Sequence, residues 1–133
     1  MDYVVLDTDV SSLSLKRRLP SALVPRLIGK QPCVTFVTLG ELTQWAELRQ
    51  WGRRNRDALN TWLGGVVVLP YDEDVAVTWG QISAAATRRG RPRPINDTWV
   101  AACALTHGLP LATLNVKDFA DFTTYEGLTL ITQ

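Results

Sequence analysis

The sequence predicts a three-layer α/β/α fold: a central parallel sheet of about five strands with helices on both faces, in a single domain spanning residues 1–133. Three observations predict it. Short, continuously apolar runs alternate with longer amphipathic stretches, the pattern of repeated βα units. The runs are apolar at successive positions, as strands buried on both faces require. Turn-forming residues separate the elements, at Gly64-Gly65, at Pro70 and from Gly90 to Pro94. With 133 residues, 46% apolar and 20% charged, the chain is long enough for one good core.

The elements follow in order. Tyr3–Leu6 is the first strand. Ser21–Ile28 reads as a helix, with Leu23, Val24, Leu27 and Ile28 apolar and Pro25 tolerated only near its start. Cys33–Phe36 is the second strand. A long helix follows Thr38 and runs to about Trp51, with Leu42, Trp45 and Leu48 as its apolar stripe. Asn55–Leu63 is a further helix, and Val66–Leu69 the third strand. Asp72–Arg89 is helical, with Val75, Val77, Trp79, Ile82 and Ala86 as its apolar positions. Gly90-Arg91-Pro92-Arg93-Pro94 is a rigid basic loop. Asp97–His107 is a helix whose Ala101, Ala102 and Ala104 allow close approach to a sheet. Leu109–Thr113 and Leu128–Ile131 are the last strands.

Composition excludes several chemistries. There is one histidine, His107, placed before Gly108 at a helix end, so no two-histidine zinc site can form. No Gly-x-Ser-x-Gly elbow accompanies it, and there is no Gly-rich phosphate loop. Cys33 and Cys103 match no metal spacing and read as reduced core residues. The chain opens at once on a strand, and no apolar run approaches a membrane span, so a soluble cytoplasmic protein is expected. Net charge is +1, yet basic residues cluster at Lys16-Arg17-Arg18, around Arg49 to Arg56 and from Arg88 to Arg93. Each cluster reads equally well as a solvated face.

Asp7, Glu41 and Asp97 are the candidate site. In parallel α/β sheets, ligands bind beyond the carboxyl ends of the strands. Asp7 ends the first strand, Glu41 follows the second, and Asn115 and Asp118 follow the fourth. Carboxylates gathered there repel, and oxygen-only ligands favour Mg²⁺ or Mn²⁺ over zinc. Structural alternatives stand beside this reading. Thr38-x-x-Glu41 matches a capping box. Asp97 meets a helix dipole with Asn96 as cap. Asp118 caps a turn at Phe119–Phe122. Asp72, Glu73 and Asp74 read simply as a helix start. Asp7 is harder to explain structurally, since a carboxylate directly after Val4-Val5-Leu6 is costly unless a cleft opens there.

Leu-Asp-Thr-Asp-Val at the N-terminus, Thr-Leu-Gly-Glu-Leu, Ile-Asn-Asp-x-x-Val-Ala-Ala-x-Ala-Leu and Leu-x-Thr-x-Asn-x-x-Asp-Phe stand in the order found in PIN domains. The chain resembles that family over its whole length, and more narrowly the VapC-type toxins of prokaryotic toxin–antitoxin pairs. The resemblance implies a Mg²⁺- or Mn²⁺-dependent endoribonuclease with Asp7, Glu41 and Asp97 at the main acidic positions. Asn115 stands where many relatives carry aspartate, and Asp118 is the alternative fourth acid. Asp9 stands where relatives commonly carry asparagine. The resemblance further implies a cognate VapB-type antitoxin, an RNA substrate and a homodimer. Thr8, Ser11 and Thr113 are expected to bond carboxylates or phosphate, and Lys16-Arg17-Arg18 and the Arg88–Arg93 cluster, with Arg91 and Arg93 in it, to track the RNA backbone. Trp45 and Trp51 serve either such contacts or core packing. Two alternatives remain: an aspartyl-nucleophile phosphatase, from Asp7-Thr8-Asp9-Val10, and a non-catalytic PIN-like binding module, from Asn115.

Overall fold

The computed structural model describes residues 2–133. It is a five-stranded sheet in the order β3-β2-β1-β4-β5, with every neighbouring pair parallel. The strands are β1 (Asp2–Leu6), β2 (Lys30–Thr35), β3 (Val67–Leu69), β4 (Leu111–Ala112) and β5 (Leu130–Ile131). The helices are α1 (Thr8–Leu15), α2 (Val24–Leu27), α3 (Phe36–Leu48), α4 (Arg53–Leu63), α5 (Glu73–Arg88), α6 (Ile95–His107) and α7 (Val116–Glu126).

Alternation along β1 divides the core. Val5 faces a cluster with Val75, Ile82, Val100 and Phe122 from α5, α6 and α7. Val4 and Leu6 face the opposite cluster, with Val10, Leu23 and the half-buried Trp62. Burying a side chain of this size contributes roughly 1.5–3 kcal/mol. Both faces are therefore covered, as the continuous apolar strands required. Ala101, Ala102 and Ala104 are fully buried, and Gly108 closes α6 in the left-handed conformation, at φ 65°. Cys33 and Cys103 are free and buried.

Several boundaries differ from the sequence reading. An additional helix, α1, follows Asp7, whose carboxylate caps it by accepting from the Val10 N–H at 2.8 Å. The second strand stops at Thr35, and α3 begins at Phe36 because Thr35 Oγ1 accepts from the Thr38 N–H at 3.2 Å. The expected capping box at Thr38 and Glu41 is therefore absent. The cap lies three residues earlier, which carries Glu41 past the first turn. The Ser21–Ile28 helix shrinks to Val24–Leu27, with Pro25 in its first turn. Leu48 and Val77, counted as core positions, are 73% and 58% exposed. The α6 helix starts at Ile95 with Pro94 as its cap, so Asn96 is inside the helix rather than its cap. The turn expected at Phe119–Phe122 is the middle of an 11-residue helix, with Asn115 at its cap position.

The order reverses at β1 and β4. The chain fills β2 and β3 on one side, then crosses to β4 and β5 on the other. A crevice opens at such a switch point beyond the strand ends. Asp7 leaves β1 there, its N–H bonded to the Ala112 carbonyl at 3.1 Å, and Asn115 follows β4 on the same edge.

Candidate active site

The crevice is a pocket of about 120 Å³ lined by Asp7, Thr8, Asp9, Glu41, Trp45, Asp97, Val100, Asn115, Asp118 and Phe119. Five carboxylates thus face one small volume, from α1 and its cap, α3, α6 and α7. Trp45, Val100 and Phe119 supply apolar walls.

Asp7 is the most buried of them, at 4% exposure. One oxygen accepts from the Val10 N–H, and the other accepts from Thr113 Oγ1 at 2.6 Å. These bonds stabilise the anion, yet burial outweighs them. With repulsion from Asp9 and Asp97 added, the Asp7 carboxyl rises from 3.8 to about 6. Asp97, half-buried in the first turn of α6, also rises to about 6, first through burial, then through repulsion from Asp118 and Glu41. The Arg93 charge opposes that rise. Each Asp7 oxygen keeps a lone pair beyond its protein bond, so the side chain can still face a cation.

The remaining acids are held apart by polar partners. Thr8 Oγ1 donates to Glu41 Oε1 at 2.9 Å and lies 3.0 Å from Thr38 Oγ1. Asn115 Nδ2 donates to Asp9 Oδ2 at 2.6 Å, and its backbone N–H donates to Thr113 Oγ1 at 2.9 Å. Thr113 thereby links the β4 end to Asp7. Among the described residues, no group of three or more His, Cys, Asp or Glu side chains is placed to hold a metal ion. Mg²⁺ does not require such a group, since it keeps several waters and is commonly bound through one or two carboxylates. Two desolvated, mutually repelling aspartates with no cationic lining residue fit such an ion.

The structure separates the other expected contacts. Ser11 is fully buried and its hydroxyl lies 3.5 Å from the Leu6 carbonyl, so it reaches neither carboxylate nor substrate. Thr113 is also fully buried; it bonds the Asp7 carboxylate, as one of the two expectations had it, and cannot touch phosphate. Arg91 and Arg93 both pair with Asp121, at 2.9 and 3.4 Å, outside the pocket lining. The Asp9–Asn115 bond and the role of Asp7 as a helix cap went unforeseen. The signal for the cap was present: Asp7 stands three residues before Val10, the first buried position of a helical pattern.

The PIN domain family profile matches residues 4–123. This chain belongs to the PIN domain family. Within it, the chain is 33% identical over 117 residues to the tRNA(fMet)-specific endonuclease VapC of Shigella flexneri, covering 86% of this chain and 88% of that one. It is 34% identical to the ribonuclease VapC5 of Mycobacterium tuberculosis, covering 87% and 84%. A solved DNA-bound VapBC from Salmonella typhimurium superposes with a TM-score of 0.85 at 27% identity, covering 99% of this chain and 98% of that one. At these identities and coverages the chain is a VapC-type PIN domain.

Proposed function

We infer that this chain is a Mg²⁺- or Mn²⁺-dependent endoribonuclease, the toxin of a VapBC-type toxin–antitoxin system that arrests translation and growth by cleaving RNA. The observation that carries this is the pocket itself, where Asp7 and Asp97 are both raised to about 6 beside Asp9, Glu41 and Asp118. Curated relatives at about a third identity bear the name ribonuclease.

Asp7 and Asp97 would hold the main cation, with Glu41 direct or through water. Asp118, whose charge bears on Asp97 more than that of Glu41 does, and Asn115 would serve a second ion. A bound divalent ion supplies a water acidified for in-line attack on phosphorus and charge for the phosphoryl oxygens. The chain's own residues do the positioning. Val10 N–H and Thr113 fix both oxygens of Asp7, Thr8 fixes Glu41, and Asn115 fixes Asp9. Trp45, Val100 and Phe119 exclude bulk water on one side.

An aspartyl-phosphate mechanism would need a lysine at the reacting phosphate, and no lysine lines this pocket. The binding-module reading rested on Asn115, but five carboxylates remain without it. A VapB-type antitoxin and a homodimer accord with relatives solved as VapBC complexes. No described helix is long and apolar enough to cross a membrane, and a cytoplasmic setting accords with an RNA substrate.

The test is cleavage of cellular RNA by the purified chain. Cleavage should stop in EDTA, return with Mg²⁺ or Mn²⁺, and be lost in Asp7→Asn and Asp97→Asn. Cleavage undiminished in excess EDTA would reject the mechanism. Sequencing the cleavage sites after brief expression of wild type and Asp7→Asn would identify the target RNA.

A further inference from the structure

A second hollow, of about 250 Å³, lies at the far end of α1 and α3, lined by Leu15, Lys16, Arg49, Trp51, Asn55 and Ala58. It shares no lining residue with the acidic pocket, but one face of α3 carries residues of both. Glu41, Trp45 and Arg49 are spaced four residues apart on α3 and its C-cap, so they stack on one side. Glu41 and Trp45 line the acidic pocket, and the Arg49 guanidinium lies 5.2 Å from the Trp45 ring centroid. By helical rise, Arg49 stands ~12 Å from Glu41. The Trp45–Arg49 contact thus joins a residue of the acidic pocket to a residue of the basic, aromatic hollow.

The lining has the composition that single-stranded nucleic acid selects: cations for the backbone and an aromatic face for a base. Lys16 and Arg49 are exposed, and neither forms an ion pair among the described residues. Their places at the C-caps of α1 and α3 account for each cation singly, through the helix dipole. That does not account for their sharing one open hollow with Trp51 and Asn55. Arg17, Arg18 and Arg54 are exposed as well and form no ion pair among the described residues, while Arg53 and Arg56 are taken up by Asp57 and Glu47. A protein partner would have to bring acidic groups to this hollow; an RNA strand already held at the acidic pocket brings phosphates.

We propose that this hollow is a second nucleotide subsite, which takes a phosphodiester on Lys16 and Arg49 and the adjoining base against Trp51 and Asn55, a short distance along the strand from the cleavage point. The inference rests on the ribonuclease reading. It makes Arg49 and Lys16 determinants of how long an RNA the enzyme prefers.

The experiment uses the full chain carrying Asp7→Asn, which binds without cutting, in Mg²⁺. Affinity for 4-nucleotide and 12-nucleotide single-stranded RNAs is measured over a salt series, for this parent and with Lys16→Gln, Arg49→Gln or Arg49→Lys added. The parent should bind the longer RNA more tightly. Each glutamine variant should weaken 12-mer binding about three- to tenfold and lower the slope of log affinity against log salt by ~0.7, the value for one lost phosphate contact on a single strand. Arg49→Lys should keep the slope. Unchanged slopes and affinities, with RNA cleavage by the wild-type chain intact, would overturn the subsite alone. So would variants that bind RNA normally but lose an antitoxin, since the hollow would then be a protein site. Failure of the wild-type chain to cleave any RNA would instead reject the ribonuclease reading, and the subsite with it.

Discussion

Asp7→Asn should make the metal-free protein more stable at neutral pH, although it removes a residue proposed to be essential. The Asp7 carboxyl rises from 3.8 to about 6 on folding, and the side chain is 4% exposed. At ~1.4 kcal/mol per tenfold change in acidity, the ionised form opposes folding by about 3 kcal/mol. The folded state is the weaker acid. The penalty is therefore absent below about pH 3.8, grows as pH rises, and is complete above about 6. Asparagine removes it and keeps the cap, since Asn and Asp are equivalent at that position. One bond suffers. Thr113 Oγ1 donates to Asp7 and already accepts from the Asn115 N–H, so its proton loses its partner, at a cost of ~1 kcal/mol. The net gain is about 2 kcal/mol at pH 7, or roughly 6–8 °C in Tm for a domain of this size. Thermal unfolding in EDTA at pH 4 and pH 7 checks it. The gain should vanish at pH 4, where the folded wild-type carboxyl is already neutral. A lower Tm for the variant at pH 7, or the same difference at both pH values, would refute the reasoning. Adding Mg²⁺ at pH 7 should stabilise the wild type and not the variant.

Three further outcomes follow from particular contacts. Thr113→Val keeps the side-chain volume but strips Asp7 of its donor, and activity should fall ~10–100-fold, the usual effect of losing a partner that orients a metal ligand; RNA cleavage rates check this. Asn115→Asp replaces a donor 2.6 Å from Asp9 with a second charge, so the metal-free protein should lose stability while Mn²⁺ binds more tightly, read by thermal unfolding and calorimetric titration. Thr35→Ala removes the α3 cap and should cost ~1 kcal/mol in chemical denaturation, whereas replacing Thr38 removes no cap.

The strands were the most legible part of the chain, because a strand buried on both faces must be apolar at successive residues. All five appear close to their expected places. Helix starts were less legible. At Thr35 and Thr38, two hydroxyl residues competed for one cap, and the sequence pattern favoured the one with a glutamate three residues on. The backbone turn at the end of β2 decided for the other. The α1 helix was missed because Ser11, Ser12 and Ser14 dilute its apolar pattern and Asp7 had already been read as a ligand. It is both: the same carboxylate caps α1 and faces the pocket. The shared edge of Asp7, Glu41, Asn115 and Asp118 was legible, since each follows a strand; Asp97 follows α5 and a proline-rich loop instead, and only the resemblance to PIN domains placed it with them. The fate of Arg91 and Arg93 was not, because their partner Asp121 lies on a helix whose length was underestimated.

Metal binding should be governed by the same two carboxyls that make the empty pocket unstable. Asp7 and Asp97, each near 6, must both be ionised to hold a cation. For one such group the ionised fraction is about nine-tenths at pH 7 and about one-tenth at pH 5, so two groups together should weaken apparent affinity by about 100-fold over that range. Near pH 6 each bound ion should release about one proton in all, half from each carboxyl, which shows as a dependence of the binding heat on the buffer. Arg93 provides the control. Its charge holds Asp97 down, so Arg93→Gln should move the whole binding curve to higher pH without touching Asp7. Calorimetric Mn²⁺ titrations at pH 5, 6 and 7 read all three. An affinity that changes less than tenfold across the range would mean that at most one of these aspartates holds the ion, and the pairing of Asp7 with Asp97 as the main ligands would be wrong.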